Sequence, residues 1–146
     1  MNLEKTFFAI ALLFLSTQMG FSQTKSNASL NTTSIKSTSA YAEVLLRKTE
    51  LEADVESFLV SYTEDYPKLK EARYELALIQ KDLAKLLSQT DAAKLTLALG
   101  KLMVRKNQLE TDFWALQNQY GKEHPEVKRA ERKVTIFRNA IKEILP

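Results

Sequence analysis

Few residues in this chain could carry catalytic or metal chemistry. It contains one histidine, His124, and no cysteine, so thiolate nucleophiles and cysteine-ligated metals are excluded. Carboxylate-bridged metal centres in helical bundles use Glu-x-x-His motifs, but the residue three before His124 is Gly121. We therefore predict no metal site and no cofactor. We expect His124, directly before Pro125, to cap or pack against a turn, and its place at a hairpin tip also makes it a candidate for interaction.

An acidic run is the other candidate for catalysis. Glu50, Glu52, Asp54 and Glu56 could supply the paired carboxylates that glycoside hydrolysis requires. On a helix, however, alternate residues spread around the axis, so these side chains are expected to form a solvated face. Most serines lie in the first 40 residues, with no histidine near them in sequence. The sequence thus predicts a protein that is not an enzyme.

The clearest pattern in the chain is an internal repeat with a spacing of 58 residues. Ten of the 44 residues in 44–87 are identical to their counterparts in 102–145. The matched features are the segments 47–54 and 105–112, the pair Tyr62 and Tyr120, and the pair Pro67 and Pro125. We interpret the repeat as a duplicated structural unit.

Each copy has the spacing of an antiparallel helical hairpin. Apolar residues alternate at intervals of three and four, which lines one side of a helix with apolar side chains. The seam residues before each turn are Leu51, Val55, Phe58 and Tyr62 in the first copy and Leu109, Phe113, Leu116 and Tyr120 in the second. Proline favours the first turn of a helix, so Pro67 and Pro125 predict chain reversals at 62–66 and 120–124.

The fold class predicted from this pattern is all-α, with two tandem antiparallel helical hairpins that form a four-helix bundle or an extended coiled coil. The duplicated domain covers 41–146, with the first repeat at about 41–88 and the second at about 91–146. The third helix is expected to begin near Asp91. Gly100 inside it would allow a bend or a short interruption, although the apolar spacing continues across it and favours a continuous helix.

Two segments precede this domain. Residues 1–22 combine Lys5, an apolar run and small residues, which is typical of a secretory signal peptide. The run is too interrupted for a stable membrane span, so we expect cleavage and export, with retention as a membrane anchor as the alternative. Residues 23–40 are rich in Ser, Thr and Asn and are predicted to be a disordered tether. An exported, cysteine-free chain suits the bacterial periplasm or exterior.

The charge of the chain limits its partners. A net charge of +3 at pH 7 is too small to indicate binding to nucleic acid. Basic residues are in excess only near the C-terminus, where Lys128, Arg129, Arg132 and Lys133 are candidates for contact with an anionic glycan or an envelope surface. A solvated helix face with paired charges is the alternative interpretation.

Aromatic and lysine residues at special seam positions are further candidates for interaction. Tyr62 and Tyr120 end their seams at the turns, where they either pack over the turn or contact a peptide or glycan at the hairpin tips. Trp114 has an acidic counterpart in the first copy, so we expect it to mark an interface between hairpins or subunits. Lys48 and Lys106 occupy equivalent seam positions, where lysine either fixes the register of helices or reaches solvent.

More apolar residues lie beside the seams than a two-stranded coiled coil requires, so each helix has a wide apolar stripe. They are Leu46, Leu59, Leu78, Val104, Trp114 and Ile136. Burial of this surface requires either that the two hairpins pack together or that the chain associates with another protein or with itself through the heptad stripes. Protein partners and self-association are therefore both predicted.

The second turn resembles a motif from a known family. The segment Tyr120-Gly121-Lys122-Glu123-His124-Pro125-Glu126-Val127, between heptad helices, resembles the turn in the periplasmic helical hairpin of bacterial polysaccharide chain-length determinant proteins. Members of that family are inner-membrane polysaccharide co-polymerases that oligomerise and control the export or length of surface glycans. The resemblance implies a non-enzymatic envelope protein that works through helical assembly. The two membrane spans that bracket the family's hairpin have no counterpart here, so only the fold carries over.

Three functions follow from these features. The leading prediction is an exported, non-enzymatic helical scaffold, adaptor or assembly factor in the bacterial cell envelope. The alternative is a periplasmic holdase-type chaperone that clamps unfolded clients between helical arms, for which spare apolar surface would be suitable. A third possibility is an accessory protein that binds surface polysaccharide or assists its export.

Overall fold

The computed structural model describes residues 31–146. Within this range it contains no β-strand, and the all-α prediction is confirmed. The helices are α1 (Ser39–Ser61), α2 (Pro67–Leu87), α3 (Leu97–Tyr120) and α4 (Pro125–Ile144), with a short 3₁₀ turn at Ala92–Lys94 before α3. Residues 31–36 are also helical. The predicted signal peptide and residues 23–30 lie outside the described residues.

Local chemistry explains where the helices begin and end. The hydroxyls of Thr38 and Thr96 accept hydrogen bonds from backbone N–H groups of the first turn, at 3.3 Å in both α1 and α3. Pro67 and Pro125 are the first residues of α2 and α4, where a missing N–H costs no hydrogen bond. Gly121 ends α3 with a positive φ of 79°. The helices of the second hairpin, α3 and α4, therefore begin 58 residues after α1 and α2 of the first.

The two hairpins pack together as one bundle. In each hairpin the two helices are antiparallel, and the second hairpin docks through α3, which contacts both α1 and α2. The backbone N–H of Ala40 donates to the carbonyl of Leu95 at 3.2 Å, so α1 and α3 start side by side and run parallel. Consequently, both turns lie at the same end of the molecule. The fourth helix packs mainly on α3.

One apolar core is shared by the two hairpins. Its largest fully buried members include Val44 and Leu51 of α1, Ile79 and Leu86 of α2, and Leu99 and Met103 of α3. Ile141 and Leu145 join the same cluster from the end of the chain. The seam residues predicted from the heptad spacing are therefore largely used inside the molecule, and the bundle rather than an extended coil is the observed arrangement.

The predicted boundary of the tether is wrong at its C-terminal end. Ile35 and Ala40 have no exposed surface, and both belong to the core. The hydroxyl of Thr38 also accepts a hydrogen bond from Tyr41, which fixes the start of α1. Composition suggested disorder because this segment has few apolar residues, but these two are placed where the bundle can bury them.

The third helix starts later than the sequence indicated. Asp91 caps the 3₁₀ turn, since its Oδ1 accepts from the N–H of Ala93 at 3.0 Å, and Thr96 caps α3. The helix passes Gly100 without interruption, as the apolar spacing favoured. A Cβ atom at Gly100 would lie 2.8 Å from the Cβ of Glu43 and 3.0 Å from the Cα of Ala40. Glycine here permits the close approach of α1 and α3.

Gly100→Ala tests this close approach. Alanine would favour an isolated helix by about 1 kcal/mol, but forcing a methyl group into a packed contact costs about 1–3 kcal/mol. We expect no gain and a net loss of up to about 2 kcal/mol in the free energy of unfolding, measured by urea denaturation. Ala77→Gly, at an exposed site in the middle of α2, measures the effect of helix propensity alone. A stabilised Gly100→Ala variant would contradict the α1–α3 contact.

Candidate interaction surfaces

A buried polar cluster joins the two hairpins. Asp82 of α2 accepts two hydrogen bonds on Oδ2, from the Nζ of Lys106 at 2.8 Å and from the Nδ2 of Asn107 at 2.9 Å. Asn107 has no exposed surface and Asp82 is 6% exposed. The hydroxyl of Thr111 donates to the carbonyl oxygen of Asn107. Asp82 can accept both hydrogen bonds only when α3 lies at one position along α2. The cluster therefore fixes the register of the two hairpins.

The two equivalent seam lysines have different partners. Lys106 binds Asp82 on the other hairpin, whereas Lys48 pairs with Glu52 one turn further along its own helix. The register interpretation therefore applies to Lys106 and not to Lys48. Sequence reasoning missed Asp82 because it lies 24 residues from Lys106 and nothing in the local pattern connects them.

Each hairpin is closed by one further ion pair that involves a buried carboxylate. Arg47 of α1 makes two hydrogen bonds of 2.8 Å to Glu75 of α2, which raises the pKa of Arg47 above its usual range. Arg138 of α4 binds Glu110 of α3 at 2.7 Å. Both glutamates are 6% exposed. Both carboxylates thus serve as structural partners that hold the helices of each hairpin together.

The acidic run of α1 is exposed, as its spacing indicated. Glu50 pairs with Arg47 and Glu52 pairs with Lys48 on the same helix. Glu56 is exposed and makes no ion pair within residues 31–146. No group of three or more His, Cys, Asp or Glu side chains that could hold a metal ion occurs in this part of the chain.

Stacked aromatic rings cover both hairpin turns. At the first turn Tyr62 stacks on Tyr66 with ring centroids 4.0 Å apart, and Phe58 contacts both rings edge-on. At the second, Tyr120 stacks on His124 at 4.5 Å. Each pair leaves about half of its leading tyrosine exposed, 51% for Tyr62 and 50% for Tyr120. The two turns thus present similar aromatic surfaces at one end of the bundle.

His124 has a structural role at the second turn. Its Nδ1 accepts a hydrogen bond from the backbone N–H of Glu126 at 3.2 Å, which caps α4. The same ring packs on Tyr120.

At the first turn, hydrogen bonds from Arg73 and Lys70 lower the pKa of Glu64 and Asp65, so these exposed carboxylates stay ionised.

Trp114 lies at the contact between the hairpins. Its ring stacks on Tyr74 of α2 with centroids 4.8 Å apart and planes 12° from parallel. The sequence predicted that Trp114 marks an interface either between hairpins or between subunits, and the observed contact is between hairpins. The stack continues the α2–α3 contact from the buried polar cluster toward the turns.

The four basic candidates on α4 are all exposed. Lys128 pairs with Glu123 at 2.7 Å and Arg129 with Glu126 at 3.0 Å. Arg132 and Lys133 make no ion pair within residues 31–146. One turn after them, Ile136 is 65% exposed. The outer face of α4 is thus a partly unpaired basic surface that is followed by an exposed apolar residue.

A second heptad stripe runs along α1 on the side away from the core. We call it the outer stripe; its residues are Ala42, Leu46, Thr49, Ala53, Glu56 and Val60, at intervals of four and three. All six are exposed, with Leu46 at 57% and Val60 at 87%. The sequence analysis identified Leu46 as additional apolar surface but missed the stripe, because alanine and threonine carry a weak signal. Such spacing is typical of a helix that packs on a partner.

An open groove lies between α1, α2 and α3. It has a volume of about 340 Å³ and contains both charges, among them Arg105 and Asp112, above apolar side chains that include Leu51 and Ala72. Its mixed lining selects no single ligand chemistry. Within residues 31–146, no helix combines the length and the apolar character that crossing a membrane requires.

Comparison with known proteins gave no relative. No family model matches the chain, and neither curated proteins nor solved structures contain a significant match.

Proposed function

We propose that this chain is a non-enzymatic helical scaffold or adaptor that binds other proteins through helix–helix contacts. The observation that carries the proposal is the outer stripe of α1. The stripe exposes Leu46 and Val60 and has mostly small side chains between them, so a partner helix could pack closely along it. The half-exposed turns, with Tyr62 and Tyr120 at the same end, supply a second surface for protein contact.

The proposed location is the bacterial cell envelope, to which the protein is exported. Support comes from the composition of residues 1–22 and from the absence of cysteine in the whole chain. The resemblance of the second turn to polysaccharide co-polymerase hairpins agrees with such a location. From this resemblance we further propose an accessory role in binding or exporting acidic surface glycans. The unpaired Arg132 and Lys133 would be the residues that contact the glycan.

The packing of the hairpins supports a scaffold over a holdase clamp. A clamp needs apolar arms that can open around a client, whereas here α3 fills the crevice between α1 and α2 and contributes to one core. The buried cluster around Asp82 fixes α3 in that crevice. The apolar surface that remains is a narrow stripe, which fits a defined partner better than many unfolded clients.

Site-specific photo-crosslinking in the expressing cells tests the proposal. A photoreactive residue in place of Leu46 should give adducts of defined mass, because the proposed partner covers this position. The matched control is Lys81, which is exposed on α2 outside the stripe and should give none above background. Equal labelling from both positions, or none from Leu46, would count against the scaffold function.

A further inference from the structure

The two hairpins carry the same stripe but use it differently. The residues of α3 that correspond to the outer stripe are Gly100, Val104, Asn107, Thr111, Trp114 and Asn118. In this set Gly100, Asn107 and Thr111 are buried, and Val104 and Trp114 are half-buried. Their counterparts on α1 are all exposed. One copy of the stripe is thus an internal contact, and the other has no partner within residues 31–146.

The internal contact shows which surface receives such a stripe. Gly100 lies against Ala40 and Glu43 of α1. Further along, α3 meets α2 through the hydrogen bond from Asn107 to Asp82 and the stack of Trp114 on Tyr74. The receiving surface is therefore built from the start of α1 and from the stripe of α2 that contains Tyr74, Leu78 and Asp82.

An equivalent receiving surface exists on the second hairpin. The 58-residue spacing relates Ala40 and Glu43 to Ala98 and Lys101 of α3, and it relates the α2 stripe to Arg132, Ile136 and Ala140 of α4. Ala98, Lys101, Arg132 and Ile136 are exposed, and Ala140 is half-buried. The counterpart of Ile136 is Leu78, which is half-buried and lies on α2 between Tyr74 and Asp82, the two residues that contact α3. Ile136 has no such neighbouring helix within residues 31–146 and is 65% exposed.

The charges of these two free surfaces are complementary. At the position of Trp114 the outer stripe has Glu56, and at the position of Tyr74 the receiving surface has Arg132. The internal aromatic stack would therefore become an ion pair between copies. Glu56 and Arg132 have no ion-pair partner within residues 31–146, and Lys101 adds a second unpaired cation to the receiving surface.

We infer that the outer stripe of one copy docks on the α3–α4 surface of a second copy, in the way that α3 docks on α1 and α2 within the chain. This inference rests on the proposed scaffold function and names its partner. Each copy offers one stripe and one receiving surface, so the contact is head-to-tail and produces a ring or a filament. Ala42 has a Cβ where Gly100 has none, so the contact is looser at that end.

Charge exchange tests the inference directly, using light scattering on the full chain over a range of concentrations. The mass of the wild type should rise with concentration. Glu56→Arg and Arg132→Glu should each raise the concentration needed for association by about tenfold or more, because like charges then face each other. Both residues are exposed, so the variants should keep wild-type helicity. The Glu56→Arg/Arg132→Glu double variant should associate again.

Mixing the two single variants gives a sharper result. The stripe of Glu56→Arg then faces the acidic surface of Arg132→Glu, and the other two surfaces form the wild-type pair. The mixture should therefore associate at concentrations where neither variant does alone. Association that is insensitive to both substitutions would overturn the inference, as would a wild type that stays monomeric at all concentrations. A monomer that binds vesicles or acidic polysaccharide through Arg132 would also overturn it.

The scaffold function can survive the failure of this inference. A chain that stays monomeric but still gives crosslinks from Leu46 to a different protein would refute self-association and retain the scaffold. A chain that is monomeric and gives no crosslinks would refute both.

Discussion

Replacing Asp82 with alanine should destabilise the protein by about 3–5 kcal/mol, the usual cost of removing one partner from a buried ion pair. Asp82 is 6% exposed and accepts hydrogen bonds from both Lys106 and Asn107. Without it, a cation and an amide N–H would remain in the inter-hairpin contact without an acceptor. Urea denaturation followed by circular dichroism measures the loss in the free energy of unfolding.

Two comparisons separate this effect from simple loss of charge. Glu52→Ala removes an exposed ion pair with Lys48 and should cost less than about 1 kcal/mol. Asp82→Leu combined with Lys106→Met and Asn107→Leu replaces the whole cluster by apolar side chains and should recover most of the stability. An Asp82→Ala variant within about 1 kcal/mol of the wild type would show that the cluster does not hold the hairpins together.

Ile35→Ala is the second substitution with a large expected effect. Ile35 has no exposed surface and packs in the shared core, so removal of three carbon atoms should cost about 2–3 kcal/mol. The value lies at the low end of the range for buried isoleucine because Ile35 lies before α1, in a segment that can open locally before the bundle unfolds. Thermal and urea denaturation would both report the change.

Lys36→Ala is the matched control for this substitution. Lys36 is exposed in the same helical segment, and its replacement should leave stability within about 0.5 kcal/mol of the wild type. If Ile35→Ala were equally neutral, residues 31–36 would belong to the disordered tether that composition suggested, and the core would begin at α1.

The elements that the sequence could predict are those with local causes. Pro67 and Pro125 begin helices because proline fits the first helical turn, and the seam residues are apolar because one side of each helix is buried. Gly121 adopts a positive φ that other residues rarely take. These signals require no knowledge of distant residues, so helices and turns followed from spacing alone.

The elements that sequence reasoning missed depend on contacts between distant segments. Asp82 is one acidic residue among several until α3 places Lys106 and Asn107 beside it. Ile35 stands alone in a polar segment, and only the bundle gives it a place to be buried. The start of α3 at Leu97 instead of near Asp91 depends on a 3₁₀ turn that brings Leu95 to Ala40.

The interaction surfaces illustrate the same limit. Trp114 was identified by its difference from its counterpart, which is a local comparison, and it lies at the contact between hairpins. The outer stripe was not identified, because Ala42, Thr49 and Ala53 are not strongly apolar. Its meaning became clear only from the burial of the corresponding stripe on α3.

The central claim is that the stripe on α3 is an internal contact and that its copy on α1 is free for a partner. Because the chain has no cysteine, single variants Ala53→Cys and Thr111→Cys report these equivalent positions in a thiol-labelling experiment at low protein concentration. Cysteine at position 53 should react at nearly the rate of a free thiol, and cysteine at position 111 much more slowly, since Thr111 is 7% exposed. Equal rates at the two positions, whether fast or slow, would contradict the account.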